Sequence, residues 1–230
     1  MKTHRIQLGQ SVQGRPIEGT FFWNEVLDGP ILSPLNTLLV GAFHGDEEIS
    51  TALLERFSKA AAQEHSTLPA FLVIPAFNAD GLPADTRTNA NGVDLNRNYP
   101  TDNWSLDGEG TPYFSGPGPA SEPETRLMIE VLQQYRPQKI ITLHSPYKVI
   151  NYDGPADALA HAMAAHCGYP VVTDIGYPTP GSFGNYAGHQ LQIPVITLEL
   201  PPNPDEPAGE SLDAIWPAIY PALIAGITFK

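Results

Sequence analysis

The chain has 230 residues, the length of one large domain or two small ones, and we expect a single domain spanning 1–230. Hydrophobic residues make up 42% of it, which is typical of globular proteins and excludes disordered and fibrous classes. Lys and Arg number 12 against 25 Asp and Glu, so the formal net charge is −13. Because such a surface repels phosphate backbones and anionic lipids, we expect neither nucleic acid nor membrane as a partner.

The cysteine content and the lack of long apolar stretches bear on where in the cell the protein is expected. The single cysteine, Cys167, cannot form an internal disulfide, so packing must hold the fold. The first ten residues lack the apolar stretch of a signal peptide, and no apolar run approaches the roughly 18 residues of a membrane span. We therefore expect a cytoplasmic protein.

The predicted elements alternate between strands and helices after an initial hairpin of His4–Leu8 and Ile17–Trp23. Five apolar runs have the composition of buried strands: Thr37–Phe43, Ala70–Phe77, Lys139–Leu143, Pro170–Thr173 and Pro194–Leu200. Four helices are predicted: Glu48–Ala62, Pro123–Tyr135 with Ser121 as its candidate N-cap, Ala156–Cys167 and Leu212–Ala225. The alternation predicts an α/β fold with a mixed, mostly parallel twisted sheet and helices on both faces. Ligands in such sheets gather at the carboxyl ends of the strands.

One segment stands apart from this pattern. Asn78–Gly118 is rich in Asn, Asp, Gly and Pro and shows almost no periodicity. A loop of that length is unusual in a compact domain, and such loops tend to be functional.

The predicted strand Thr37–Phe43 breaks into His44-Gly45-Asp46-Glu47-Glu48, which places a histidine and acids at a carboxyl strand end. An imidazole and a carboxylate three residues apart can converge on one zinc ion. Spacing alone leaves Glu47 and Glu48 as alternatives. Acids at a helix start are also common because they complement the helix dipole.

A second histidine, His144, follows the strand Lys139–Leu143 at the same expected edge of the sheet. Two imidazoles and one carboxylate would form the ligand set of a catalytic zinc site with one position open. The remaining histidines lie in terminal, helical or loop contexts, and we expect them to be exposed or hydrogen-bonded: His4, His65, His161, His166 and His189.

Glu199 is a charge inside the apolar run Pro194–Leu200. A buried carboxylate needs a partner, a metal or a cleft that raises its pKa, and the last of these is the condition for a general base. The alternative is a structural glutamate in a salt bridge.

The long loop supplies two arginines, Arg87 and Arg97, in an otherwise acidic protein. A guanidinium group can bind a carboxylate through two hydrogen bonds or stabilise an oxyanion. The alternative is pairing with Asp85 or Asp94 of the same loop.

Taken in order, these residues resemble the zinc carboxypeptidase family. The similarity is carried by the opening segment Leu8–Ile17, His44-Gly45-Asp46-Glu47, Asn78-Ala79-Asp80-Gly81, Arg87, the run Gly92–Asn98, His144-Ser145 and Leu198-Glu199-Leu200. The resemblance implies one zinc ion bound by His44, Glu47 and His144, and it selects Glu47 over Glu48. It further implies that Glu199 is the general base, that Arg87 polarises the scissile carbonyl and that Asn96 and Arg97 hold a substrate carboxylate. Ser145 and Tyr177, the counterpart of the family's mobile tyrosine, would also contact the substrate.

The segment from Gly176 to Ser182 is similar to that of the murein tripeptide amidases within this family. This similarity implies a small anionic peptide substrate and cleavage of its γ-D-glutamyl–meso-diaminopimelate bond. Two other functions stay open: an N-acyl amino acid hydrolase resembling succinylglutamate desuccinylase or aspartoacylase, and a non-catalytic peptide-binding module. The Gly92–Asn98 run favours the peptidase, and the complete set of reactive groups disfavours the module.

Overall fold

The computed structural model describes residues 1–24, 34–63, 68–203 and 209–227. Within these ranges the strands are β1 (Lys2–Gln10), β2 (Pro16–Trp23), β3 (Thr37–Val40), β4 (Phe71–Ile74), β5 (Lys139–His144), β6 (Ile150–Asp153), β7 (Val171–Val172) and β8 (Val195–Glu199). The α-helices are α1 (Glu48–Gln63), α2 (Gly81–Ala84), α3 (Pro123–Tyr135), α4 (Asp157–Cys167) and α5 (Leu212–Ala225). A 3₁₀ turn at Leu95–Arg97 and a π-helical turn at Asn185–Gln190 complete the described elements.

The strands of the described ranges form one eight-stranded mixed sheet in the order β1-β2-β4-β3-β5-β8-β6-β7. Its centre, β4-β3-β5-β8, is parallel. The β1–β2 hairpin pairs antiparallel with β4 on one side, and β6 pairs antiparallel with β8 on the other. The α/β fold with a mixed sheet, as predicted from the sequence, is confirmed.

The central strands are buried on both faces, as their continuous apolar sequences require. In β3, the side chain of Leu39 lies in a core that α1, α4 and α5 complete. Leu38 and Val40 point to the opposite face, where they join a second core that includes residues of α3. Helices therefore cover both faces of the sheet.

The predicted strand and helix boundaries agree with the structure to within a few residues, except where the backbone turns early. The predicted strand Thr37–Phe43 ends at Val40, and Ala42 adopts a positive φ of 47° that no strand continues through. The predicted strand Ala70–Phe77 shortens in the same way to Phe71–Ile74. Both chain segments leave the sheet at the edge where the polar residues follow.

Two further differences concern local chemistry. The predicted N-cap Ser121 is wrong: α3 begins at Pro123 with Glu122 in the N-cap position, because proline suits the first helical residue. The sequence does not predict strand β6, because Ile150-Asn151-Tyr152-Asp153 is too short and too polar to stand out as an apolar run.

No helix of the described ranges is long and apolar enough to cross a membrane. Four of the histidines expected to be structural are exposed, namely His4, His161, His166 and His189. His65 lies outside the described residues.

Candidate active site

Three neighbouring strands bring their carboxyl ends together. His44 follows β3, His144 ends β5 and Glu199 ends β8. Because β5 lies between β3 and β8, and His144 pairs in register with Glu199, these side chains share one edge. His44, Glu47, His144 and Glu199 are each at most 6% exposed.

The turn after β3 is shaped by a close approach of two backbones. A Cβ at Gly45 would lie 2.0 Å from the carbonyl carbon of Gly81, so only glycine fits there. The Gly45 N–H donates to the carbonyl of Thr86 at 2.9 Å, which ties the turn to the long loop. The chain then enters α1 at Glu48, and Glu47 is held just before the first helical residue.

His44, Glu47 and His144 form a compact group whose ligand atoms lie within 4.8 Å of one another. The Nδ1 atom of His44 lies 2.8 Å from Oε1 of Glu47 and 3.3 Å from Nδ1 of His144. Oε2 of Glu47 lies 3.0 Å from the same His144 nitrogen, yet it is buried and accepts no hydrogen bond from any residue that the structure describes. The donor set fits a zinc ion, because two imidazole nitrogens and a carboxylate face one point.

Asp94 orients the His44 ring. Its Oδ1 atom lies 3.1 Å from Nε2 of His44, and the carboxylate is fully buried. A proton on Nε2 leaves the lone pair on Nδ1, the atom that faces Glu47 and His144. A carboxylate behind a histidine in this way is the usual second partner of a metal ligand.

The electrostatics of the group show how strongly the site favours a cation. Burial lowers the pKa of His44, but the charges of Glu47 and Asp94 outweigh it and raise the pKa to about 9. Burial raises the pKa of Glu47, but the two histidines lower it to about 2. The carboxylates of Glu47 and Asp94 therefore favour positive charge at the position between the side chains of this group.

Glu199 stands beside this group without belonging to it. Its Oε2 atom is buried and lacks a hydrogen-bond partner among the described residues, and the side chain lines the cleft. Burial and the nearby charge of Glu47 raise its pKa, although His144 opposes them. Among the described residues Glu199 forms no ion pair with a lysine or arginine, which disfavours the alternative of a salt-bridged structural glutamate.

The long loop Asn78–Gly118 returns to the same cleft. It is not structureless, since it contains α2 and the 3₁₀ turn Leu95–Arg97. Buried asparagine side chains hold it: Asn78 bonds the N–H of Gly81, and Asn89 bonds the N–H of Val93 and the carboxylates of Glu122 and Glu124.

The two loop arginines differ in their partners. Arg87 is half-buried, with Nε and Nη2 at 2.9 and 2.8 Å from Oδ2 of Asp94, so the expected alternative pairing with Asp94 is present. Burial lowers the pKa of Arg87, but Asp94 and Glu47 raise it overall, and the group stays charged. Arg97 is buried and donates from Nη1 to the carbonyl of Asn96 at 2.6 Å. Both guanidinium groups line the cleft.

The remaining predicted substrate-binding residues also reach this cleft, which Asn96, Ser145 and Tyr177 all line. Asn96 accepts the N–H of Phe183 on Oδ1 at 2.9 Å, which leaves its amide nitrogen to other acceptors. Tyr177 is 39% exposed, and its ring centroid lies 6.0 Å from Cζ of Arg97. The structure thus brings every predicted site residue to one place.

Known proteins are similar to this chain in fold and in sequence. The sequence pattern of the zinc carboxypeptidase family matches residues 2–160. Over 215 residues the chain is 34% identical to murein peptide amidase A of Escherichia coli K12, which covers 88% of this chain and 83% of that protein. The corresponding protein of Vibrio campbellii is 34% identical over 208 residues, or 81% and 80% of the two chains.

The chain belongs to the zinc carboxypeptidase family. The crystal structure of murein-tripeptide amidase MpaA from Escherichia coli O157 matches with a TM-score of 0.78 and 29% identity over 98% of this chain and 93% of that one. Carboxypeptidase A from Helicoverpa armigera has the same fold at a TM-score of 0.78 and 18% identity, over 97% and 67% of the chains. As a zinc carboxypeptidase, the protein is a hydrolase of a zinc-dependent family, and the N-acyl amino acid hydrolase and the non-catalytic module are not favoured.

Sequence reasoning missed two residues of this zinc carboxypeptidase site. The sequence predicts Asp94 only as a possible partner of an arginine, whereas Asp94 contacts both His44 and Arg87. Tyr113 lines the cleft, and Cζ of Arg87 lies over its ring. A lone tyrosine in a loop gives no periodic signal, and only the fold places it.

Proposed function

We propose that this protein is a zinc-dependent amidase that cleaves the γ-D-glutamyl–meso-diaminopimelate bond of murein tripeptide, with one zinc per chain. The observation that carries the proposal is the meeting of the His44–Glu47–His144 group, Glu199 and Arg97 in one cleft. The substrate class rests on the similarity to the murein peptide amidases over most of both chains. A cytoplasmic role in peptidoglycan recycling is part of the proposal.

His44, Glu47 and His144 would hold the zinc, through the three side chains that face one point. When bound, zinc supplies a Lewis acid that polarises a carbonyl group and lowers the pKa of a water molecule. Asp94 keeps His44 in the tautomer that this requires, since its Oδ1 contacts Nε2.

Glu199 acts as the general base. Its free, buried Oε2 accepts a proton from the attacking water and then delivers it to the nitrogen of the leaving amine. Burial raises the pKa of the Glu199 carboxyl group and so brings that pKa closer to the pH at which an enzyme works. A carboxylate with a raised pKa is a better proton acceptor.

Two cationic side chains interact with different negative charges of the substrate. Arg87 faces the cleft beside the His44–Glu47–His144 group and stabilises the negative charge that develops on the carbonyl oxygen. Arg97, with the amide nitrogen of Asn96, binds the free carboxylate next to the scissile bond. Ser145 and Tyr177 line the wall where the rest of the substrate lies. Attraction of an anionic peptide to a chain of net charge −13 must be local in this way.

A peptide panel tests the proposal. Zinc-loaded protein is incubated with L-Ala-γ-D-Glu-meso-diaminopimelate, with the same peptide amidated at the carboxylate next to the scissile bond, and with N-succinylglutamate and N-acetylaspartate. We expect mass spectrometry to show release of diaminopimelate from the free acid alone. Equal cleavage of the amidated peptide would remove both the role of Arg97 and the substrate class, and cleavage of the N-acyl amino acids alone would establish the alternative enzyme.

A further inference from the structure

Tyr113 is a large exposed aromatic residue at the mouth of the cleft, with 55% of its surface accessible. Its ring centroid lies 4.9 Å from Cζ of Arg87, within the range of a cation–π contact. The central carbon of the guanidinium group therefore lies over the tyrosine ring.

The edge of the same guanidinium group is held by Asp94. Nε and Nη2 of Arg87 lie 2.9 and 2.8 Å from Oδ2 of that carboxylate. Among the described residues, Asp94 holds Nε and Nη2 and no residue accepts a hydrogen bond from Nη1, which leaves Nη1 for a substrate. An edge contact alone would still let the plane of the guanidinium group tilt about that edge.

The backbone around Tyr113 is fixed to the residue that holds the edge. Asp94 donates its N–H to the carbonyl of Phe114 at 2.8 Å, so the two contacts to Arg87 share one support. The hydroxyl of Thr111 donates to the carbonyl of Gly108 at 2.7 Å and accepts the N–H of Tyr113 at 3.2 Å. Gly108 has a φ of +71°, and a Cβ there would lie 2.6 Å from the carbonyl oxygen of Tyr113. The ring is therefore presented by a closed, hydrogen-bonded turn.

We infer that Tyr113 is a positioning residue that fixes the plane of the Arg87 guanidinium group against the developing charge of the reaction. The inference rests on the proposed role of Arg87. Tyr113 acts through its ring face and not through its hydroxyl, so phenylalanine should replace it and alanine should not. The effect appears in kcat, because the charge that Arg87 meets is present in the transition state and not in the bound substrate.

The first test compares three variants on the tripeptide after wild type has been shown to cleave it. We expect Tyr113→Ala to lower kcat about tenfold with KM little changed, as loss of a partly desolvated cation–π contact predicts. Tyr113→Phe should retain the wild-type kcat. Leu106→Ala, at a residue of the same loop that is 61% exposed, is the matched control and should leave kcat unchanged. An equal loss in the phenylalanine and alanine variants would overturn the inference.

The second test separates positioning of Arg87 from a direct contact or a general role in loop structure. Tyr113→Ala is combined with Arg87→Met, and kcat and zinc content are measured for both single variants and the double variant. If Tyr113 acts through Arg87, the kcat of the double variant should lie within about twofold of the kcat of Arg87→Met. A further loss of the full tenfold would overturn the inference. If Arg87→Met alone retains the wild-type kcat, the role of Arg87 fails together with the inference, while cleavage of the tripeptide by wild type still supports the substrate class.

Discussion

Glu199 and Arg97 face the same cleft from different supports. Glu199 is the last residue of β8, and its position is set by a parallel strand pairing that runs from Ile140 and Val195 to the ends of both strands. Arg97 closes a 3₁₀ turn in a long loop, and side-chain hydrogen bonds and buried apolar residues such as Leu95 set its position. The strand edge carries the group proposed to bind zinc and the proposed proton acceptor, and the loop carries the arginines proposed to meet the substrate.

The two regions are therefore suited to different tasks. A sheet edge fixes ligand atoms to a fraction of an ångström, as metal binding and proton transfer require. A loop can vary in length and sequence without disturbing the sheet, so substrate choice is better placed there. Asp94 connects the two regions, since its two oxygens contact His44 and Arg87.

The largest expected effect on kcat is that of Glu199→Gln, which changes the strand edge and leaves the loop intact. Glutamine keeps the shape of the side chain but cannot accept the proton, so kcat on the tripeptide should fall by about 10²–10⁴ while zinc content stays unchanged. Glu130→Gln, at an exposed position of α3, is the control. Near-normal kcat with zinc in place would exclude Glu199 as the base.

Asp94→Asn tests whether that residue joins the regions. The amide loses the charge that orients both His44 and Arg87, so we expect zinc affinity to fall about 10- to 100-fold and kcat to fall as well at saturating zinc. Competition with a chelator measures the first effect. Asp85→Asn, at an exposed acid of the same loop, should change neither quantity. Unchanged zinc affinity in Asp94→Asn would show that Asp94 serves the loop alone.

Arg97→Lys tests the loop by itself. Lysine keeps the charge but loses the planar fork, so kcat/KM for the free acid should fall about tenfold. The zinc content should not change, because the strand edge is untouched. Arg136→Lys, an exposed position at the end of α3, controls for the substitution type. A drop in zinc content would mean that the two regions are not separable.

The smallest catalytic effect is expected from a residue that only holds the loop. Asn89→Ala removes donors to two buried carboxylates, Glu122 and Glu124, and should lower the free energy of unfolding by about 1–3 kcal/mol. Asn91→Ala loses a single hydrogen bond to Glu122, and that bond is less buried, so the free energy of unfolding should fall by less. Urea unfolding measures both. We expect kcat per folded molecule to stay within about twofold of wild type in Asn89→Ala, as positioning by several other bonds predicts.

The two regions also differ in how far the sequence predicts them. His44, His144 and Glu199 each interrupt or end an apolar run, so strand order and the rule of carboxyl ends suffice to bring them together. Arg87 and Arg97 lie in a segment without periodicity, and only the family resemblance assigned their roles. The hydrogen bonds that shape the loop depend on residues distant in sequence, as with Asn89 and Glu124, so local patterns could not predict the contacts of Asp94 or Tyr113.

The central claim, that three side chains at the strand edge hold one zinc ion, is tested most directly by elemental analysis of wild type and His144→Ala, with His161→Ala as an exposed control. We predict about one zinc per chain in wild type and in the control. His144→Ala leaves two protein ligands and should lose most of the metal together with hydrolysis of the tripeptide. A His144→Ala protein that retains its full zinc content and its activity would contradict the account.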